Sequence, residues 1–110
     1  MTWHVAAQAS DLQEGDVLGT VVAGQPVALY RVDGEVFATH NICTHAQACM
    51  SDGYLEDGII ECPLHQAQFD VRTGQVISGP TKVPLPCYRA RVDGEQVLVE
   101  LPADGAAPSA

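Results

Sequence analysis

Short runs of β-branched and aliphatic residues, cut at close intervals by Gly, Pro and Asp, set the rhythm of this chain. Trp3 to Ala7 alternates enough for a first strand, and the polar stretch Gln8 to Asp16, with Ser10, Asp11, Glu14 and Gly15, reads as a loop with room for one helical turn. Val17 to Val22 and Pro26 to Val32 are two further strands, separated by Ala23, Gly24 and Gln25. Asp33-Gly34 then sits between Val32 and Val36, a strong hairpin signal because both residues tolerate positive φ, and Glu35 to Thr39 is the return strand. The tetrapeptide Val-Asp-Gly-Glu recurs at Val92 to Glu95, between Tyr88–Val92 and Gln96–Leu101, but its flanks differ. That makes two independent hairpins, not an internal repeat. No window keeps helical periodicity for more than two turns, so the pattern predicts an all-β antiparallel sandwich or barrel.

The middle of the chain breaks the β rhythm. It carries turn signals at Ser51-Asp52-Gly53, Asp57-Gly58 and Thr73-Gly74 and is best described as an insertion between the fourth strand and the C-terminal strands. On this reading the chain is a single domain over residues 1–110: a base of residues 1–40 and 82–103, an inserted subdomain of residues 41–81, and a flexible tail of residues 104–110 rich in Ala, Gly, Pro and Ser.

Composition narrows the functions available. With 110 residues there is material for one modest core, and with only 5% aromatic residues that core must be mostly Val, Leu, Ile and Ala. Five basic against fourteen acidic residues give a formal charge of −9, which argues against nucleic acid or anionic membranes and favours a partner with a basic face. The N-terminal Met-Thr-Trp-His-Val has none of the parts of a signal peptide, and no apolar run reaches the roughly 18 residues of a membrane span, so a soluble cytoplasmic protein is expected. In that compartment disulfides are not expected, and Cys49 and Cys87 read as reduced thiols.

The chemistry sits in the insertion. Cys43-x-His45 is followed, after sixteen residues from Ala46 to Glu61, by Cys62-Pro63-Leu64-His65. Two thiolates and two imidazoles on two short loops make a four-ligand metal site. Structural zinc sites usually pair Cys with Cys and His with His at close spacing, whereas here each loop carries one ligand of each kind. That arrangement suits a two-iron [2Fe–2S] centre of the Rieske type, with a Cys from each loop on one iron and a His from each on the other. Zinc stays open as the alternative, ahead of a set of four unliganded core residues. Pro63 biases Cys62 towards extended backbone and so presets the second loop. Leu64 and Phe69 are expected as apolar lids, and Pro80, Pro84 and Pro86 either as a stiff third loop or as an edge-strand connection. His40 reads as a surface or supporting residue, His4 has no partner motif, and Cys49 reads as packed loop.

With the motif, the strand pattern and the flanks together, the chain resembles the Rieske-type ferredoxins of bacterial aromatic-ring-hydroxylating dioxygenase systems, the naphthalene-dioxygenase type above all. The resemblance spans nearly the whole chain and is carried by Asn41-Ile42-Cys43-Thr44-His45, by Met50-Ser51-Asp52-Gly53-Tyr54-Leu55, and by Glu61-Cys62-Pro63-Leu64-His65-Gln66 running into Phe69-Asp70. It implies a Rieske fold with one [2Fe–2S] cluster at the tip of a small β-sandwich, one iron on Cys43 and Cys62 and the other on His45 and His65. It also implies a monomeric one-electron carrier, not an enzyme, working between an NAD(P)H-dependent flavoprotein ferredoxin reductase and a terminal Rieske oxygenase. The small Rieske subunit of an assimilatory nitrite reductase is the alternative within the same cofactor class, and a zinc-stapled interaction domain the alternative outside it.

The chain departs from the family at Ala46 and Ala67, where glycine is usual; if those backbones need positive φ, the ligand loops shift. The cluster-loop disulfide of the high-potential respiratory Rieske proteins would fall at Ala48 and Leu64, and their hydroxyl donors at Ala67 and Phe69. None of these residues can supply a disulfide or a hydroxyl, which predicts a potential at the low end of the Rieske range, about −150 mV.

Overall fold

A computed structural model describes residues 2–42, 48–63, 67–79 and 83–101. Its larger sheet has six antiparallel strands: β1 (Thr2–Gln8), β2 (Val17–Val22), β3 (Gln25–Val32), β4 (Glu35–His40), β9 (Cys87–Asp93) and β10 (Gln96–Leu101), in the order β1-β10-β9-β4-β3-β2. It curls until its edges, β1 and β2, approach each other. Four strands of three residues each form a second sheet in sequence order: β5 (Tyr54–Glu56), β6 (Ile59–Glu61), β7 (Gln68–Asp70) and β8 (Val76–Ser78). Among the described residues the helical pieces are two 3-10 turns, Ala9–Asp11 and Met50–Asp52. Among the described residues no helix is long and apolar enough to cross a membrane.

β3 explains why two cores fit in so short a chain. Both its faces are covered, and its two-residue period divides its side chains between them. Val27 and Leu29 enter the core of the curled sheet with Leu12, Val97, Val99 and Leu101. Ala28, Tyr30 and Val32 enter a second core beneath the small sheet with Met50, Ile60, Phe69 and Leu85. The interior is chiefly aliphatic, as the low aromatic content requires, and its largest member, Tyr30, places its hydroxyl 2.8 Å from the equally buried Thr39 Oγ1.

The hairpins follow the Asp-Gly logic, with one surprise. Ala23-Gly24, Asp33-Gly34 and Asp57-Gly58 each join two strands, with φ values of 50° and 81°, 53° and 80°, and 54° and 80°. Positive φ at both central residues is what a type I′ turn needs. The second Val-Asp-Gly-Glu does not repeat the first. Val32 pairs with Glu35 across Asp33-Gly34, whereas Asp93 pairs with Gln96, which moves the turn one residue on to Gly94-Glu95. Only Gly94 has positive φ there, 62°. The same four residues thus make two different turns, and the flanking strands decide which.

Candidate metal centre

Three of the four expected ligands, Cys43, His45 and His65, lie outside the described residues, as do Ala46, Leu64 and Pro80. What the structure does describe is the ground both ligand loops rise from, together with the fourth residue, Cys62. Among the described residues no group of three or more potential ligands is gathered for a metal ion.

The first loop leaves the base at Asn41. Its backbone amide donates to the Pro26 carbonyl at 3.0 Å and its carbonyl accepts from the Met50 amide at 2.6 Å. Ile42 and Cys49 form an antiparallel bridge that closes the loop. The Asn41 side chain, 7% exposed, grips the 3-10 turn Met50–Asp52: Oδ1 accepts the Ser51 amide at 2.8 Å and Nδ2 donates to Ser51 Oγ at 3.0 Å. Gly19 makes room for this pair, because a Cβ there would stand 2.9 Å from Ser51 Cβ and 3.0 Å from Asn41 Nδ2.

The second loop is the hairpin turn between β6 and β7. The Cys62 amide donates to the Ala67 carbonyl at 2.7 Å and closes it. Cys62 is 1% exposed and Ala67 is fully buried, and both belong to the core that also holds Ala48, Met50 and Phe69. Ala48 ends the first loop, so the feet of both ligand loops stand on one apolar patch. Leu85, whose amide donates to the Gly74 carbonyl at 2.8 Å, and Pro86, whose carbonyl accepts the His40 amide at 2.8 Å, tie an irregular third segment, residues 83–86, alongside.

Several expectations change here. Phe69 is not a lid but a fully buried core residue: its strand alternates, and position 69 faces inward opposite Ile60. Ala67 is not a strained substitute for glycine. The non-glycine residues with positive φ among those described are Ala23, Asp33 and Asp57, so the backbone at 67 makes no demand for glycine. The glycine that matters here is Gly79, since a Cβ added to it would lie 2.6 Å from the Ala67 Cα. His40 lies on β4 with Nδ1 3.3 Å from the Tyr88 hydroxyl, and burial holds its pKa below the usual imidazole value while raising that of Tyr88. His4 lies on β1 opposite Val99. Cys49 and Cys87 carry no disulfide. Cys87 is exposed as a residue but turns its sulfur towards the Leu85 carbonyl at 3.6 Å; burial, and secondarily the charge of Asp70, push its pKa up to about 11.

A buried cysteine, two loops whose feet are closed by hydrogen bonds, and an apolar floor suit an inorganic cluster held on a β fold. The profile of the Rieske [2Fe-2S] domain matches residues 2–89. The chain belongs to the Rieske [2Fe-2S] family. The family's cofactor is one [2Fe–2S] cluster. This Rieske domain is 48% identical over 99 residues to the ferredoxin component of the naphthalene 1,2-dioxygenase system of Pseudomonas putida, covering 90% of this chain and 95% of that one. Among solved structures it matches the ferredoxin of carbazole 1,9a-dioxygenase from Nocardioides aromaticivorans IC177 with a TM-score of 0.84 and 36% identity, covering 90% of this chain and 97% of that one. It also matches a chain in the complex of reduced oxygenase and oxidised ferredoxin of carbazole 1,9a-dioxygenase, with a TM-score of 0.82 and 39% identity, covering 88% of this chain and 91% of that one.

The sequence reading missed the Asn41–Ser51 grip and the Gly79 contact. Asn41 was visible only as part of a family motif, and nothing local announces a partner ten residues on.

Proposed function

We propose that this chain is the ferredoxin component of a multicomponent aromatic-ring dioxygenase. It takes single electrons from a flavoprotein reductase that uses NAD(P)H and hands them to a terminal oxygenase. Cys43 and Cys62 hold one iron and His45 and His65 the other, in the subdomain of residues 41–81 carried on the base of residues 1–40 and 82–103. The observation that carries this reading is the convergence of both loop feet, Ala48 on one side and Cys62 and Ala67 on the other, in one buried apolar patch. When bound, the cluster supplies a one-electron couple. The protein's part is to fix the ligand loops, keep water from the floor of the site, and present the loop tips to partners. The cytoplasm, where such a reductase finds its nicotinamide, is the compartment that fits.

The charge distribution supports docking to basic partner surfaces. Between Asn41 and Thr81 the acidic residues Asp52, Glu56, Asp57, Glu61 and Asp70 face a single basic one, Arg72. Arg72 is already engaged, 3.2 Å from Asp33 and stacked 5.4 Å from the Phe37 ring centroid. Encounter rates with the reductase should therefore fall as ionic strength rises.

Reconstitution tests the proposal. Purified chain, combined with the flavoprotein reductase and terminal oxygenase of a naphthalene-type system, should couple NAD(P)H oxidation to ring dihydroxylation, with turnover dependent on the ferredoxin. Stable isolation with one large subunit of a nitrite reductase, and no turnover with the dioxygenase parts, would reverse the assignment. Colour separates the remaining reading at once, since a zinc-stapled domain is colourless and a Rieske protein is red-brown.

A further inference from the structure

We propose that Gln68 is a positioning residue for the second ligand loop, acting as a polar clamp between Glu61 and Ser78. The inference rests on the cluster assignment above, with Cys62 and His65 as ligands. It begins from the two faces of the small sheet. The inward row, Leu55, Ile60, Phe69 and Val76, packs on the core. The outward row pairs Tyr54 with Glu61, Glu61 with Gln68 and Gln68 with Ser78, one residue from each strand. Tyr54, at its end, is 70% exposed. On the outer side polar side chains bridge the strands at the loop stem.

Glu61 directly precedes Cys62, and Gln68 directly follows Ala67, so this pair stands immediately below the Cys62–Ala67 bond that closes the loop. Gln68 Nε2 donates to Glu61 Oε1 at 3.0 Å, and the Ser78 hydroxyl donates to Gln68 Oε1 at 2.9 Å. Using both ends of the amide fixes its orientation: the nitrogen must face the carboxylate and the oxygen the hydroxyl. The bond to Glu61 has a charged acceptor, the stronger kind. Gly79, the residue that follows β8, approaches Ala67 closely and so brings the end of that strand against the other foot of the loop. Three strands are thereby locked together at the root of a loop whose two ligands must keep a fixed separation.

A double-mutant cycle on the holoprotein tests this. Cluster release into an iron chelator is followed by loss of visible colour, and ligand geometry by the EPR line shape of the reduced protein. Gln68→Ala and Glu61→Ala are each expected to release the cluster about three- to tenfold faster, the factor expected for one partly exposed hydrogen bond to a charged group, and to alter the line shape. The double variant should be no faster than the quicker single one, because either change alone breaks the clamp. Glu61→Gln keeps an acceptor for Gln68 and should restore release to within about twofold of the parent. Ser78→Ala, at an exposed position that threatens folding least, should give a smaller effect of the same sign. Unchanged release and line shape in Gln68→Ala, or in Ser78→Ala should the first not fold, would overturn the proposal; so would effects that add in the double variant. A colourless parent would remove the cluster assignment itself, and with it the clamp, before any variant is compared.

Discussion

Replacing Asn41 with alanine removes the side chain that joins the root of the first ligand loop to the 3-10 turn Met50–Asp52. Two hydrogen bonds go, those to the Ser51 amide at 2.8 Å and to Ser51 Oγ at 3.0 Å, from a residue only 7% exposed. The amide is the costly loss. The bond is partly buried, and a donor left there without an acceptor costs about 1–3 kcal/mol. The serine hydroxyl can rotate, so its share is smaller, about 1 kcal/mol or less. A total of about 1–4 kcal/mol follows, and at ~4 °C per kcal/mol for a domain of this size the apoprotein melting temperature should fall by about 4–16 °C. Ser51→Ala loses only the hydroxyl contact and keeps the amide bond, so it should cost about 1 kcal/mol. Because both variants act on the same pair, the double variant should be scarcely worse than Asn41→Ala. Urea and thermal unfolding followed by circular dichroism measure the series, and visible absorbance reports cluster retention. An Asn41→Ala protein melting within about 2 °C of the parent would refute the view that this buried amide anchors the loop.

Three other consequences can be checked with little more than purified protein. Cys87, with its pKa up at about 11 against an ordinary 9.0, should be alkylated by iodoacetamide at pH 8 about a hundredfold more slowly than a small free thiol, and labelling at the rate of glutathione would contradict this. Burial lowers the His40 pKa in the fold, so on acidification the unfolded chain takes up the proton first, stability is lost as pH falls below about 6.5, and His40→Gln should flatten that part of the profile of urea midpoint against pH; an unchanged profile would count against it. Gly79→Ala would put a methyl group 2.6 Å from the Ala67 Cα at a φ of 119°, so cluster incorporation and stability should both drop, whereas Gly24→Ala, with nothing within 4 Å, should show only the backbone cost of about 1 kcal/mol.

Much of this fold was legible because its turns are chemically explicit. Asp33-Gly34 and Asp57-Gly58 mark turns by the positive φ they permit, and the strands of the larger sheet fall within a residue or two of their expected ends. The two-sided burial of β3 is written in its unbroken Val-Ala-Leu-Tyr run. The small sheet was not legible as a sheet. Its strands are three residues long, too short for a two-residue period to show, and they are held by pairing with one another instead of by any pattern of their own. The second Val-Asp-Gly-Glu shows the same limit from the other side, since identical residues turn at different places when the partner strands differ. At the site, the family motif and Cys62 were visible, but the grip of Asn41 on Ser51 joins residues ten apart across a loop, and the need for glycine at Gly79 is imposed by the Ala67 backbone, twelve residues earlier. Such pairings arise only when the chain is folded.

The central claim is that this chain is a one-electron relay built on a Rieske cluster whose neighbours keep it reducing. Ala67 and Phe69 are both fully buried and neither carries a hydroxyl, so neither can stabilise the reduced cluster by donating to its sulfurs. A reductive titration of the isolated protein, followed by visible absorbance, measures this directly. One electron per chain at a midpoint near the low end of the Rieske range, about −150 mV, is the predicted result. A midpoint well above 0 mV, or a colourless protein that takes up no electron and holds zinc, would contradict it.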